Sequence, residues 1–240
     1  DLGSIFRRLY GDVPDSLGPM FFLYMRNAVE LVMEDPDGPA TLLDVPCLFA
    51  DDRYRKYLIA HCKEGAVRDF WGIADETRGD LELKNVAAYV TNKFTEFTQN
   101  ELVRSVVGQT ESTINFREIM DRRRILLINL SKGLLSEADS KLLGMILTGQ
   151  MFAAAMTRAS LAPSRRVPFH VYIDEFQNFT SSSIGAILAE ARKFALSLTL
   201  AHQNIGQLPR DMAQSVLANT GSKIFMRLGS EDAKALSPYV

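Results

Sequence analysis

Two neighbouring carboxylates follow an apolar run in the second half of the chain. The run Phe169–Ile173 is predicted to be a strand buried on both faces, and Asp174 and Glu175 come directly after it. Because ionised carboxylates are costly to bury, both should lie at the carboxyl edge of the sheet, where open α/β sheets bind ligands. An aspartate there can hold Mg²⁺, and an adjacent glutamate can orient a water for attack on phosphate. Two solvated acids at an ordinary turn are the alternative.

A second predicted strand, at 196–201, ends in an amide. If it neighbours the first strand, Gln203 faces the same crevice as Glu175, where it could sense a γ-phosphate; an ordinary strand-end amide is the alternative. Arg192 lies near the end of the helix predicted to join the two strands. That position suits a guanidinium that projects into the next subunit's site, or a solvated arginine that complements the helix dipole. Arg227 interrupts another apolar run, as an edge-facing residue or as a phosphate contact.

The elements that must position these residues change in character along the chain. Residues 1–118 are predicted to form a small all-α domain, because their apolar residues recur at helical spacing and alternating strand patterns are nearly absent. Residues 119–240 alternate strands and helices, the pattern of a doubly wound α/β fold. Ser136 and Asp139 are predicted to cap a helix that runs to about 158. Further strands are predicted at 125–130 and 223–228, and a helix at 209–219.

Composition limits the classes of protein that the chain could be. Its 240 residues are 47% hydrophobic and 23% charged, which is typical of a soluble globular protein. A formal net charge of −2 provides no global basic surface for nucleic acid, so any DNA contact must come from local loops or rings of subunits. Two cysteines form no disulfide framework and favour a reducing compartment. Because the chain starts at Asp1 without a methionine, we expect it to be a piece of a longer protein.

Three segments carry a resemblance to a known family. Ile125–Gly133, Val171–Phe179 and Glu190–Gln203 together resemble the HerA/FtsK-like ATPases, and most of all the conjugative coupling proteins of type IV secretion, the TraD/TraG-like group. Thr41–Pro46 and Arg68–Trp71 resemble the all-α domain that is inserted in the motor of this family. The resemblance therefore covers nearly the whole chain.

The resemblance implies a fold and roles for individual residues. It implies the carboxy-terminal part of a RecA-like parallel-sheet core, preceded by the all-α domain, in a homo-hexameric ring that uses ATP and Mg²⁺. Asp174 and Glu175 match the Walker B pair, with Asp174 as the Mg²⁺ ligand, and Gln203 matches the sensing glutamine. Arg192 matches the arginine finger. Arg227 is not among the residues that the resemblance matches, and it stays a candidate nucleotide contact on its position in the apolar run alone.

One motif of the family does not occur in the sequence. The phosphate-binding loop G-x-x-x-x-G-K-[ST] is missing, and in the family it lies upstream of the helical insertion, so it would precede Asp1. Without its backbone N–H groups and lysine, nothing cradles the β- and γ-phosphates. We therefore expect this chain alone to neither bind ATP tightly nor hydrolyse it.

The function implied by the resemblance is that of a DNA-translocating ATPase, a coupling protein for conjugative DNA transfer. Its expected partners are DNA and relaxosome or secretion-channel proteins. The membrane anchor usual for coupling proteins is absent from the sequence; the expected location is the cytoplasmic side of the bacterial inner membrane, or else the cytoplasm. Two alternatives remain: an all-α docking module that recruits relaxosome or substrate proteins, and a HerA/FtsK-like motor with another cargo. No residue distinguishes the cargoes, because a fold does not fix function.

Overall fold

The computed structural model describes residues 2–11, 17–79, 82–131, 133, 135–179 and 184–239. By their internal contacts the residues divide into two compact units, Tyr10–Thr113 and Asp1–Leu9 with Ile114–Val240. The described residues form twelve α-helices and two strands. The helices are α1 (Leu2–Tyr10), α2 (Pro19–Val32), α3 (Asp44–Ala50), α4 (Asp52–His61), α5 (Gly65–Glu76), α6 (Leu83–Thr98), α7 (Glu101–Val107), α8 (Phe116–Asp121), α9 (Glu137–Met156), α10 (Ile184–Glu190), α11 (Arg210–Asn219) and α12 (Ser230–Leu236).

In its described residues, the unit Tyr10–Thr113 is built of helices around an aromatic core. Trp71 of α5 is fully buried, and its ring packs edge to face against Tyr24 and Phe49. The indole N–H donates to the backbone carbonyl of Asn27 at 3.1 Å, which satisfies the one polar group that this side chain buries. Local capping also supports the helices, since the Asp51 carboxylate accepts two backbone N–H groups at the start of α4.

The second unit has one long helix on a small sheet. α9 begins at the predicted cap, where Ser136 accepts the backbone N–H of Asp139 at 3.1 Å. The strands β1 (Phe169–Ile173) and β2 (Leu196–Leu200) pair in parallel, with Phe169 opposite Leu196 and Ile173 opposite Leu200. One face of this sheet packs on the helices. That core includes Met151, Phe152, Val171, Ile173, Ile184, Leu196, Met212 and Val216.

The predicted fold class is wrong. Helices account for most of the described residues, whose only sheet has two strands, so a RecA-like parallel-sheet core is not seen. The runs predicted as strands at 125–130 and 223–228 lie outside regular secondary structure. Alternate apolar side chains of both runs face solvent: Ile125 and Leu127 are each 90% exposed, and Ile224 and Met226 are 89% and 87% exposed, whereas Leu126 is partly buried against the core. A strand exists only through hydrogen bonds to a neighbour, and neither run has a paired neighbour in the described residues.

A helix that spans a bilayer needs about 20 mostly apolar residues. Within the residues that the structure describes, no helix combines the length and the apolar character needed to cross a membrane.

Candidate functional site at the carboxyl end of the sheet

The backbone holds the ends of the two strands together beyond the strands themselves. Ala201 donates its N–H to the carbonyl of Ile173 at 3.0 Å, and Phe176 donates to the carbonyl of Ala201 at 3.1 Å. Between these two bonds the chain turns sharply, and Glu175 adopts a left-handed conformation with φ 49° and ψ 42°. This conformation is uncommon for a residue with a Cβ atom and is found mostly where the surrounding structure imposes it. The turn therefore fixes the position and direction of the Cα–Cβ bond of Glu175.

Both oxygens of the Glu175 carboxylate accept hydrogen bonds from glutamine amides. Gln203 Nε2 donates to Oε1 at 2.6 Å, and Gln177 Nε2 donates to Oε2 at 2.7 Å. Gln177 Nε2 also donates to Oε1 of Gln207 at 3.1 Å. Hydrogen bonds to an ionised acceptor are stronger than those between neutral groups, so this cluster holds the carboxylate in one orientation.

Asp174 and Glu175 open onto a cavity of about 710 Å³ in the same unit. The cavity lies between residues 128–131, the first turns of α9 and the carboxyl end of β1. Its polar lining includes Asn129, Ser131, Lys141, Asp174, Glu175 and Gln203. The ammonium group of Lys141 is 2.8 Å from Oε1 of Glu137, so its charge is already paired. The cavity is large enough for a small ligand and has polar groups converging at one end.

Asp174 is the side chain at this edge whose chemistry suits a Mg²⁺ ion. Asp174 is exposed and lines the cavity, and its Oδ1 accepts the backbone N–H of Glu175 at 3.0 Å. Mg²⁺ in ATPases is usually held by one or two carboxylates together with substrate phosphates and water. Among the residues that the structure describes, no group of three or more His, Cys, Asp or Glu side chains is placed to hold a metal ion.

The other two candidate residues lie elsewhere. Arg192 is exposed and belongs to a 3₁₀ turn (Ala191–Phe194) that precedes β2, whereas Gln203 follows β2. Arg192 therefore lies at the amino end of the sheet, opposite its own Glu175. Arg227 is exposed and does not line the cavity. The structure brings together Asp174, Glu175 and Gln203, but neither arginine joins them within one chain.

Sequence reasoning missed Gln177, the second amide on Glu175. It lies two residues after Glu175, in a 3₁₀ turn formed by Phe176–Asn178. That turn returns its side chain to the carboxylate, and no periodic pattern in the sequence signals a single turn of this kind. The segment Val171–Phe179 contains Gln177, but the type of the residue alone does not distinguish it from a loop glutamine.

Comparison with known proteins gives one match. Residues 168–240 match the family model described as the TraM recognition site of TraD and TraG. The match covers less than a third of the chain, and it includes β1, β2 and the residues Asp174, Glu175 and Gln203. It supports the resemblance to the conjugative coupling proteins. No curated protein and no solved structure matched the chain.

Proposed function

We propose that the chain is part of a coupling protein for conjugative DNA transfer, and that the carboxyl end of its sheet hydrolyses ATP in the full-length protein. The observation that carries the proposal is the 2.6 Å hydrogen bond from Gln203 to Glu175 across two neighbouring parallel strands. An acid and an amide at that edge are suited to holding a water and a phosphate oxygen side by side. The match of residues 168–240 to a TraD and TraG model supports the class of protein.

The roles of the side chains follow from their positions. In the bound state the Oε1 atom of Glu175 accepts a hydrogen bond from the attacking water, at the place where Gln203 donates now. The water oxygen then bonds to the γ-phosphorus while the bond to the bridging oxygen of ADP breaks, and the proton that the water loses passes to Glu175 and from there to the released phosphate. Gln203, released from Glu175, donates to a γ-phosphate oxygen and so detects its departure. Asp174 would hold Mg²⁺, and the bound ion would supply charge neutralisation on the phosphate oxygens.

Two parts of this site are proposed to come from outside these 240 residues. The phosphate-binding loop does not occur in these residues, so hydrolysis is proposed only for the full-length protein. The guanidinium that stabilises the transferring phosphoryl group is proposed to come from Arg192 of the next copy in a homo-hexameric ring. This ring is proposed to move DNA at the cytoplasmic side of the bacterial inner membrane. The exposure of Arg192 and its position at the opposite end of β2 support a role in a neighbouring copy rather than in its own site.

The test is DNA-stimulated ATP hydrolysis by the full-length protein with Glu175→Gln. Loss of the residue that orients the water should lower kcat by about 10²-fold or more while ATP binding persists. Glu231→Gln is the control, because Glu231 is an exposed acid on α12, outside the cavity. Turnover by Glu175→Gln at the wild-type rate would overturn the proposal.

A second function is supported by the description of the matched family model. We infer that residues 168–240 bind TraM, a relaxosome protein, independently of ATP hydrolysis. The alternative is that partner proteins dock on the helical unit. A photo-crosslinking side chain placed at exposed Arg227, in the matched segment, should capture purified TraM, whereas one at exposed Arg53, on α4, should not. Capture from Arg53 alone would favour the helical docking surface.

A further inference from the structure

We propose that Gln177 is a positioning residue for Glu175, and that it transmits the position of the loop after β2 to the carboxylate. The inference rests on the proposed ATP hydrolysis and adds to it a residue that no motif assigns. It concerns how the carboxylate is oriented and not which group contacts substrate.

The two amides on Glu175 differ in their surroundings. Gln177 is only 6% exposed and does not line the cavity, so it reaches Glu175 Oε2 from the protein interior. Gln203 is exposed and lines the cavity, so a water or a phosphate oxygen can take its place at Oε1. One oxygen of the carboxylate is therefore held by the protein while the other is presented to the ligand. A group held in this way needs no reorientation when substrate arrives.

The backbone of Gln177 is anchored as well. Its carbonyl oxygen accepts a hydrogen bond from the guanidinium of Arg8 at 3.1 Å, and Arg8 lies on α1 in the same unit. The preceding residue, Phe176, is fully buried in the core of that unit. Because both the backbone and the neighbouring side chain are fixed, Gln177 can respond to its two acceptors only through the torsions of its own side chain.

The amide orientation is also unusual for a purely structural residue. Gln177 Oε1 is buried and finds no hydrogen-bond partner among the described residues, while Nε2 serves two acceptors. Buried polar atoms are nearly always paired, so an exception at a cluster of this kind points to function. This orientation of the amide directs both donor hydrogens of Gln177 at Glu175 and Gln207.

The second donor hydrogen provides the coupling. Gln207 belongs to the 3₁₀ turn Ile205–Gln207, which begins two residues after Gln203 and is capped by Asn204. When Gln203 exchanges Glu175 for another acceptor, the segment that carries Gln207 should move with it. The hydrogen bond from Gln177 Nε2 to Gln207 Oε1 then transmits that movement to Oε2 of Glu175. Loss of the γ-phosphate would therefore affect both oxygens of the Glu175 carboxylate, Oε1 through Gln203 and Oε2 through Gln177.

The experiment measures steady-state ATP hydrolysis by the full-length protein. Gln177→Met keeps the length of the side chain and removes the amide, so kcat should fall by about 10- to 100-fold, because small misplacements of a catalytic group have effects of that size. The KM for ATP should stay within about twofold of the wild-type value, because Gln177 does not touch the ligand. Gln207→Met should show a smaller fall in kcat. Gln214→Met is the control, since Gln214 is exposed on α11.

A second readout is independent of turnover. In the chain as given, Glu175→Ala should shift the side-chain amide resonance of Gln177 in a ¹⁵N-edited NMR spectrum, and Gln214→Met should leave it in place. If Gln177→Met does not fold, Gln177→Glu preserves shape and replaces the amide donor by a second carboxyl group against Glu175, which should lower kcat as well. A kcat within twofold of wild type in the folded variant would overturn the positioning role and leave the proposed function standing. An inactive wild-type protein would overturn both.

Discussion

Gln203 Nε2 lies 2.6 Å from Glu175 Oε1, although 28 residues separate the two along the chain. The parallel register explains the contact. Ile173 pairs with Leu200, so the residues that follow each strand leave the sheet at the same edge. The contact thus depends on the pairing of β1 with β2, and a change that shifted the register by one residue would turn the side chains to the other face and separate the pair.

The first prediction concerns the metal dependence of the full-length protein. Asp174→Asn should raise the Mg²⁺ concentration needed for half-maximal ATP hydrolysis, because a neutral amide is a weaker ligand for a hard cation than a carboxylate. Asp211→Asn, at an exposed position on α11, should leave that concentration unchanged. An equal Mg²⁺ requirement in wild type and Asp174→Asn would remove Asp174 from the site.

The second prediction compares two glycines of α9. A methyl group added at Gly144 would lie 2.2 Å from a ring carbon of Phe179, whereas one at Gly149 would meet nothing within 4 Å. Phe179 has little room to withdraw, because its carbonyl oxygen accepts a hydrogen bond from Thr148 at 2.8 Å. Gly144→Ala should therefore lower the free energy of unfolding by about 1–3 kcal/mol, the usual range for overpacking.

Gly149→Ala provides the matched control on the same helix. It should raise the free energy of unfolding by about 0.5–1 kcal/mol, because alanine is the better helix former and the site is open. Urea unfolding monitored by circular dichroism measures both variants. If the two substitutions change stability in the same direction, the close packing of Phe179 on α9 is wrong.

The third prediction uses the buried ion pair between Arg158 and Asp121. Arg158 is fully buried, its guanidinium donates to the Asp121 carboxylate at 3.0 Å, and it also donates to the carbonyl of Phe194 at 3.1 Å. Arg158→Met should lower the free energy of unfolding by about 3 kcal/mol, the low end of the range for breaking a buried ion pair. The cost is at the low end because the Asp121 side chain is partly exposed and keeps its ion pair with Arg117. Arg117→Met, at a more exposed pair, should cost about 1 kcal/mol or less.

The same pair gives a pH dependence with a defined sign. Burial opposes ionisation of Asp121, but hydrogen bonds and charges from Arg117 and Arg158 outweigh it and hold the pKa of Asp121 below its ordinary value. Stability from a lowered pKa is present above the ordinary aspartate value of about 3.9 and is lost as the pH falls through the folded-state pKa. The stability difference between wild type and Arg158→Met should therefore be constant near neutral pH and shrink below about pH 4. A difference that grows in acid would contradict the assignment.

The strand pair was predictable from sequence because its signals are local. Phe169–Ile173 and the run at 196–201 are apolar and end abruptly in polar residues, and both their presence and their parallel pairing are confirmed. The cap at Ser136 and the helix ending at Asn219 are confirmed for the same reason, since a cap or a helical period needs only neighbouring residues.

The failures have physical causes of another kind. The runs at 125–130 and 223–228 are as apolar as β1, but a strand also needs a partner backbone, and composition cannot supply one. The position of Gln177 depends on a single 3₁₀ turn and a left-handed Glu175, which no hydrophobic period encodes. The roles assigned to Asp174, Glu175, Arg192, Gln203 and Arg227 stay predictions.

The last prediction tests whether Arg192 acts on the site of a neighbouring copy. Full-length Glu175→Gln and Arg192→Ala proteins should each hydrolyse ATP poorly, for different reasons: the first lacks the group that orients water, and the second lacks the guanidinium. When they are mixed and allowed to exchange subunits, an Arg192→Ala copy beside a Glu175→Gln copy receives an intact arginine next to its own intact glutamate. In a random one-to-one ring with head-to-tail contacts, about one quarter of the sites would then be complete. Activity should rise toward that fraction of the wild-type rate, measured against unmixed samples. Because Arg192 lies at the opposite end of β2 from Gln203, a mixture no more active than its components would mean that Arg192 does not complete the neighbouring site.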